Sequence, residues 1–479
     1  MSDKPNILWI CTDQQRFDSL GCYGNQYVRT PNIDKLASNG LLFENAYSQS
    51  TVCAPSRGSF LTGRYPRTVR LRKNGQNIPD SEVLVTKLLH DAGYTCGLSG
   101  KLHLSACFPT ASHGTERRID DGYDMFHWSH HPKDDWATNE YSQWLRAKGK
   151  KFPARPVEGC EYVVYGPDAE DHQAAWCAEK AIDYIQAHEG KRQPWVFSVN
   201  IFAPHHPFDP PESYLKRYLN MLDELPLPNY YEGEPESKTS GQRRDHQGAY
   251  ANPKLYPFNK MSDSDHRYLT AAYYAMVELI DDQVGRMLEA LERTGQLDNT
   301  IVVFMSDHGE LLGDHGVYLK GAHFYEPSVH VPLIVSWPAV IKQPVRPSTF
   351  VELVDLAPTF LEAAGIERHP GMQGKSLMKL WSGETADHRS DVYCEAYESS
   401  NRKPYGMEYA MMVRDRTHKL VVYHTRQDGE LYDLETDPGE RRNLWSSSEH
   451  ASVKLRMMEL LCHRMAETID PLPEKLAPW

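Results

Sequence analysis

The chain has 479 residues, of which 40% are hydrophobic and 24% charged, and its formal net charge is -13. That size and balance exclude a small module, a disordered tail and an integral membrane protein, leaving a large domain with a smaller companion or two to three ordinary domains. The acidic excess argues against a nucleic-acid groove, which needs clustered Lys and Arg, so an anionic substrate must find positive charge inside its own site.

The start, MSDKPNILWICTD, is polar and enters a short apolar run, Ile7 to Cys11, too brief for a signal-peptide core or a membrane span. The expectation is a soluble, cytoplasmic protein without membrane contact. Cys11, Cys22, Cys53, Cys96, Cys107, Cys160, Cys177, Cys394 and Cys462 contain no CxxC pair and no even framework, as for reduced thiols in a cytosol.

Ile7 to Cys11 is apolar at consecutive positions, the pattern of a strand covered on both faces by helices. Thr12, Asp13, Gln14 and Gln15 follow it. A second run, Trp195 to Phe202, leads into Ala203-Pro204-His205-His206-Pro207, and a third, Ile301 to Met305, into Ser306-Asp307-His308-Gly309. Buried strands that each finish in metal-type or acid/base residues predict an α/β fold: a large, mainly parallel sheet sandwiched by helices, with its site beyond the strand carboxyl ends.

Between the second and third runs, Tyr273, Met276, Val277, Ile280, Val284, Met287, Leu288 and Leu291 recur at spacings of three and four, predicting a helix from about Asp265 to Arg293 with Ser264 or Asp263 as N-cap. Residues 225–260 lack a period and read as mobile surface or a substrate-facing lid. Past the helix expected over Asp355 to Ala364, strand-like pieces (Val392 to Glu395, Met411 to Arg414 and Lys419 to Tyr423) precede the turn-rich Asp428-Gly429, the stretch Glu430 to Asp433 and a terminal helix, Ser452 to Thr468. They suggest a catalytic domain over residues 1–375 and a smaller α+β subdomain with a short antiparallel sheet over residues 376–479.

Chemistry enters at Cys53-Ala54-Pro55-Ser56-Arg57, followed by Leu61-Thr62-Gly63-Arg64. A cysteine ahead of an arginine at a helix start is a candidate low-pKa nucleophile, whereas a lone cysteine is more often a buried thiol. Asp13 with Gln14 and Asp307 with His308 can bring two carboxylates, an amide oxygen and an imidazole to one point, a hard metal site; a lone Asp after a strand is more often a helix cap. Lys101 and His103 lie two apart and would share one side of an extended segment.

The strings NILWICTDQQ, CAPSRGSFLTGR, GLSGKLHL, APHHPF, SDHGELLGDHGVYLKG and ELYDLETDPGERRNL occur in this order, and together they resemble the type I sulfatases of the alkaline phosphatase superfamily. The resemblance spans nearly the whole chain. It implies that Cys53 is oxidised to formylglycine by a maturation enzyme and that Asp13, Gln14, Asp307 and His308, with position 53, hold a divalent cation. Calcium is the first expectation. Gln14 and His308 stand where the commonest pattern has Asp and Asn, and a nitrogen ligand brings manganese and magnesium into consideration. Lys101 and Lys320 match the sulfate-binding lysines, His103 the histidine that handles the formylglycine hydrate, His205 the histidine near the leaving oxygen, and Arg57 the support of the nucleophile loop.

The function implied is release of sulfate from a small-molecule or oligosaccharide ester, with a sulfated carbohydrate as first expectation. Arg72, Lys73 and Asn74 at the entrance, and the cluster Tyr123, Phe126, Trp128, His130 and His131, are candidates for contact with a sugar. A phosphonate monoester or phosphodiester hydrolase of the same superfamily is the nearest alternative. Those relatives share the Asp-Gln and Asp-His pairs but tend to lack the Lys-x-His pair. An inactive sulfated-glycan-binding protein is the alternative of another class.

Overall fold

The computed structural model describes residues 4–112, 114–133, 135–153, 155–397 and 408–475. The apolar runs become strands of one sheet: β1 (Asn6–Asp13), β2 (Leu41–Leu42), β3 (Thr95–Gly100), β4 (Met125–Trp128), β5 (Trp195–Pro204), β6 (Thr300–Ser306) and β7 (Leu333–Ser336). Their spatial order is β2-β7-β6-β1-β5-β3-β4. β1 pairs in parallel with β5 and β6, and β3 in parallel with β5 and β4, while β7 runs antiparallel to both its neighbours.

β1 lies mid-sheet, and its side chains divide between two cores. Leu8 and Ile10 pack with α2 (Gln173–Ala187) and α3 (Asp263–Arg293), whereas Ile7, Trp9 and Cys11 pack with α1 (Cys53–Thr62) and α4 (Leu356–Ala363). A strand covered on both faces has no solvent side, which is why its sequence shows no alternation. Among the described residues no helix is long and apolar enough to cross a membrane.

α3 begins earlier than the apolar stripe suggests. Its N-cap is Ser262, not Asp263 or Ser264: Ser262 Oγ accepts from Asp265 N at 3.3 Å, and Asp265 Oδ2 accepts from Ser262 N at 2.9 Å. Reciprocal bonding fixes a helix start more strongly than the mere presence of a polar residue, so the pair three apart prevails. Residues 225–260 form short turns and one six-residue helix, Ser240–Asp245, before α3.

The C-terminal part is a four-stranded antiparallel meander: β8 (Val392–Tyr397), β9 (Tyr409–Arg414), β10 (His418–Tyr423) and β11 (Asp428–Asp433). One face receives α5 (Ala451–Glu467) through Met457 and Leu461. The other packs on Ala322, Phe324 and Val329. Lys419 Nζ and Tyr423 Oη donate to the carbonyls of Phe324 and Ala322 at 2.9 and 3.0 Å. The meander thereby holds the loop that carries Lys320.

Gly100 closes β3 with φ +98°, and a β-carbon there would collide with the carbonyl oxygen of Asn200 on β5. Only glycine allows Lys101 to leave the sheet at this point. Gly100→Ala is expected to destabilise the protein by about 2–3 kcal/mol, since both the backbone angle and the inter-strand spacing must change. Chemical denaturation checks this, and a loss within about 0.5 kcal/mol would show that the turn relaxes freely.

Candidate active site

Five loops meet at the carboxyl ends of the parallel strands. The register pairs Thr12 with Ser306, so Asp13 and Asp307, the next residues, emerge side by side. Cys53 is the first residue of α1, Lys101 directly follows β3, and His205 directly follows β5.

Arg57 lies one turn into α1 and is 1% exposed. It donates from Nε to Asp307 Oδ2 at 2.9 Å, from an Nη to Asp13 Oδ2 at 3.3 Å, and from the other Nη to the Lys101 carbonyl at 2.7 Å. Lys101 Nζ donates to Asp13 Oδ2 at 2.5 Å. Burial opposes ionisation of Asp13, but Lys101, Lys320 and Arg57 hold it well below the usual carboxylate range. Burial and the Asp13 charge instead push Asp307 up, a repulsion that a cation between the two relieves.

The donor atoms around this pair suit a divalent cation. One atom each of Asp13, Cys53, Asp307 and His308 lies within 4.8 Å of the other three. His308 Nδ1 meets the Gly309 carbonyl at 2.9 Å, which places the hydrogen on Nδ1 and leaves Nε2 as a ligand. Gln14, in the left-handed region at φ +67°, donates from Nε2 to Glu310, and its Oε1 is buried with no hydrogen-bond partner among the described residues. An unpaired amide oxygen on the residue next to Asp13 is available to a hard cation.

Cys53 is 1% exposed, with His308 Nε2 at 3.2 Å and Lys320 Nζ at 2.8 Å from Sγ. Burial and Asp13 push its thiol up, yet Lys101, Lys320 and His308 outweigh them and bring it down to about 5. Position 53 is therefore a place where a side-chain anion is stable.

His103 and His205 line the same cavity of about 480 Å³ as Cys53, Lys101 and Lys320. Lys101 and His103 do share a side, but not on an extended segment: His103 has φ +59°, and the backbone N–H groups of His103, Leu104 and Ser105 all donate to buried Glu116. The turn around that carboxylate does what strand alternation was expected to do. Of the entrance candidates, Lys73 and Asn74 line the cavity and Arg72 does not. Of the aromatic cluster, His130 and His131 line it and Tyr123, Phe126 and Trp128 do not; Tyr123, ahead of β4, meets Ser198 through its hydroxyl, and Trp128 Nε1 donates to Glu116.

Glu310 and Glu116 escaped the sequence reading. Glu310 accepts from Gln14 Nε2, from Leu312 N at 2.8 Å and from Leu319 N at 2.6 Å, joining a metal-ligand candidate to the Lys320 loop. Its place two residues after His308 was an available signal. For Glu116 the local sequence offers none.

A mainly parallel sheet whose strand ends gather a buried carboxylate pair, a candidate cation site and two lysines is suited to the hydrolysis of anionic esters. The sulfatase family model matches residues 5–366, and the model described as N-sulphoglucosamine sulphohydrolase, C-terminal, matches residues 313–467. The arylsulfatase of Clostridium perfringens is 30% identical, covering 93% of this chain and 91% of its own. The N-acetylglucosamine-6-O-sulfatase of Bacteroides thetaiotaomicron is 26% identical over 98% and 88%. The solved phosphonate monoester hydrolase of Agrobacterium radiobacter superposes with a TM-score of 0.85 at 25% identity, covering 99% and 98%. The chain belongs to the type I sulfatase family, with the alkaline phosphatase-like fold, and is a sulfuric ester hydrolase.

Proposed function

We propose that the protein releases inorganic sulfate from a sulfated carbohydrate, with Cys53 matured to formylglycine and a divalent cation held by Asp13, Gln14, Asp307, His308 and position 53. The observation that carries this reading is the meeting of Cys53 with Lys101 and Lys320 in one cavity, with the Asp13 and Asp307 carboxylates gathered around Cys53. Three oxygen donors favour calcium, and the His308 imidazole keeps manganese and magnesium as alternatives. The carbohydrate rests on the relative named as an N-acetylglucosamine-6-O-sulfatase.

Held by Asp13, Gln14, Asp307 and His308, a cation would supply charge neutralisation and lower the pKa of the nucleophilic hydroxyl. The hydrated aldehyde at position 53 offers one hydroxyl for attack on sulfur and a second through which sulfate is expelled. Lys101 and Lys320 neutralise the sulfuryl oxygens. His205 Nδ1 is 2.5 Å from the His206 carbonyl and so carries the hydrogen, while burial and Lys320 hold the ring neutral. Neutral His205 has only an accepting Nε2 left, which receives the hydrogen of the departing alcohol after Lys320 has protonated its oxygen.

His103 is the base that takes the proton from the second hydroxyl. Burial, with the charges of Lys101 and Arg57, keeps its pKa well below the ordinary 6.5. A lowered pKa means that the neutral, accepting form persists into acid, so the acidic limb of the kcat profile is expected below 6.5. A limb centred above that value that vanishes in His103→Ala would reverse the assignment.

The deciding experiment compares sulfate release from 4-nitrophenyl sulfate and from a panel of sulfated monosaccharides with hydrolysis of a nitrophenyl phosphate diester. Preference for sulfate is expected because Lys101 and His103 are both in place. A large preference for the diester would favour the second reading, a phosphonate or phosphodiester hydrolase, to which the overlay with the phosphonate monoester hydrolase lends support.

A further inference from the structure

The wall of the cavity beyond the reacting centre holds buried hydrogen-bonding atoms that the chemistry does not use. His130 and His131 follow β4 at the edge of the sheet. Both ring nitrogens of His130 and Nδ1 of His131 are buried without a hydrogen-bond partner among the described residues. The rings are fixed by packing: His130 stands edge-on to His103 at 4.5 Å between centroids, and His131 lies 4.7 Å from Phe202. Phe202 in turn lies under Lys101 Nζ at 5.2 Å and beside His205 at 4.6 Å. The two imidazoles thus adjoin the catalytic set without touching Cys53.

The strap over residues 245–256 completes the lining with Tyr250, Asn252 and Leu255. Its shape is imposed. Tyr250 and Ala251 have φ of 56° and 58°, a conformation that costs a residue with a β-carbon unless its surroundings enforce it. The enforcing group is buried Asp245, which accepts from Ala251 N at 3.1 Å and meets His323 Nε2, in the loop after Lys320, at 3.0 Å. An aromatic ring and an amide are thereby held in the same chamber as the two histidines.

We propose that His130 and His131 form the specificity-determining subsite for the alcohol half of the ester, and that they select a polyhydroxylated ring over an aryl or alkyl group by hydrogen-bonding its hydroxyls. This rests on the sulfatase reading above. Burial, with the neighbouring His103 and Lys101, holds the His130 ring well below the ordinary histidine range, and burial with Lys133 and Lys101 brings His131 down to about 3. Each ring is then neutral, with one donor and one acceptor, which matches a hydroxyl and adds no charge to compete with the lysines for sulfate. A leaving group without hydroxyls leaves these nitrogens unpaired, and such a penalty discriminates more strongly than lost apolar contact does.

The test uses the full-length, matured enzyme and His130→Ala, His131→Ala and His131→Asn. Steady-state kinetics are measured on 4-nitrophenyl sulfate and on the sulfated monosaccharide that the wild type hydrolyses best from a panel of glucosamine, galactose and glucose monosulfates. Each alanine variant is expected to lose roughly 10-fold or more kcat/KM on the sugar than it loses on the aryl ester, mainly through KM, with His131→Asn recovering part of the loss. Calorimetric binding of the same sugar to Cys53→Ala, with and without each histidine change, should reproduce the difference. Equal losses on both substrates would assign the histidines to support of His103 and overturn the proposal. So would a wild type that hydrolyses the aryl sulfate but none of the sugars, which leaves the sulfatase reading intact. A wild type that hydrolyses neither sulfate but cleaves the phosphate diester removes the sulfatase reading, and the subsite with it.

Discussion

Cys53→Ala is expected to lower kcat for sulfate release by roughly 10,000-fold or more, the scale on which loss of a covalent nucleophile acts. The site predicts more than inactivity. Position 53 is surrounded by Lys101, Lys320 and His308, which stabilise an anion there whatever atom carries it. Cys53→Ser therefore keeps an oxygen able to attack sulfur but has no second hydroxyl, so its covalent sulfate ester has no route of collapse. The serine variant should accumulate one equivalent of sulfated protein without turnover, whereas the alanine variant accumulates none. Intact-mass spectrometry separates the two. The wild-type peptide should also be lighter than its thiol form by the conversion of thiol to aldehyde. A fully active wild type with an unmodified Cys53 would overturn the mechanism.

Arg57→Met should be the most destabilising change in the catalytic set. The guanidinium is 1% exposed and bonds to Asp307, Asp13 and the Lys101 carbonyl. Methionine fills much of the volume but takes from two buried carboxylates the cation that bonds both of them. Breaking such a network by removing one partner costs about 3–5 kcal/mol. Arg57→Lys should fall between, since one ammonium cannot serve three acceptors spread along a planar fork. Denaturation with a chelator present gives the full loss. Saturating calcium should narrow the gap, because the cation supplies charge at the same carboxylates and stabilises only the folded form. A loss below about 1 kcal/mol with chelator present would mean that the carboxylates are neutralised by protonation, and that the ion network described here is not what holds the site.

Local chemistry made much of this molecule legible. Ile7 to Cys11 could be read as a doubly covered strand because burial on both faces removes alternation, and the polar residues after it had to mark a strand end. The string around Cys53 and the Asp13 and Asp307 pairs lie in contiguous segments, so their resemblance to the sulfatase motifs marked them out where residue type alone did not, and the strand register then set the two carboxylates together. Tertiary structure decided what depends on which way a chain turns after leaving an element. Trp128 and His130 are two residues apart, yet one bonds Glu116 and the other lines the cavity. Glu310 and Glu116 organise their loops by accepting backbone N–H groups, and a carboxylate's choice of backbone donors follows from loop closure and burial rather than from residue type. Tyr250 and Asn252 reach the chamber because Asp245 fastens a periodless strap to the Lys320 loop, a contact across a long stretch of chain that no local pattern encodes.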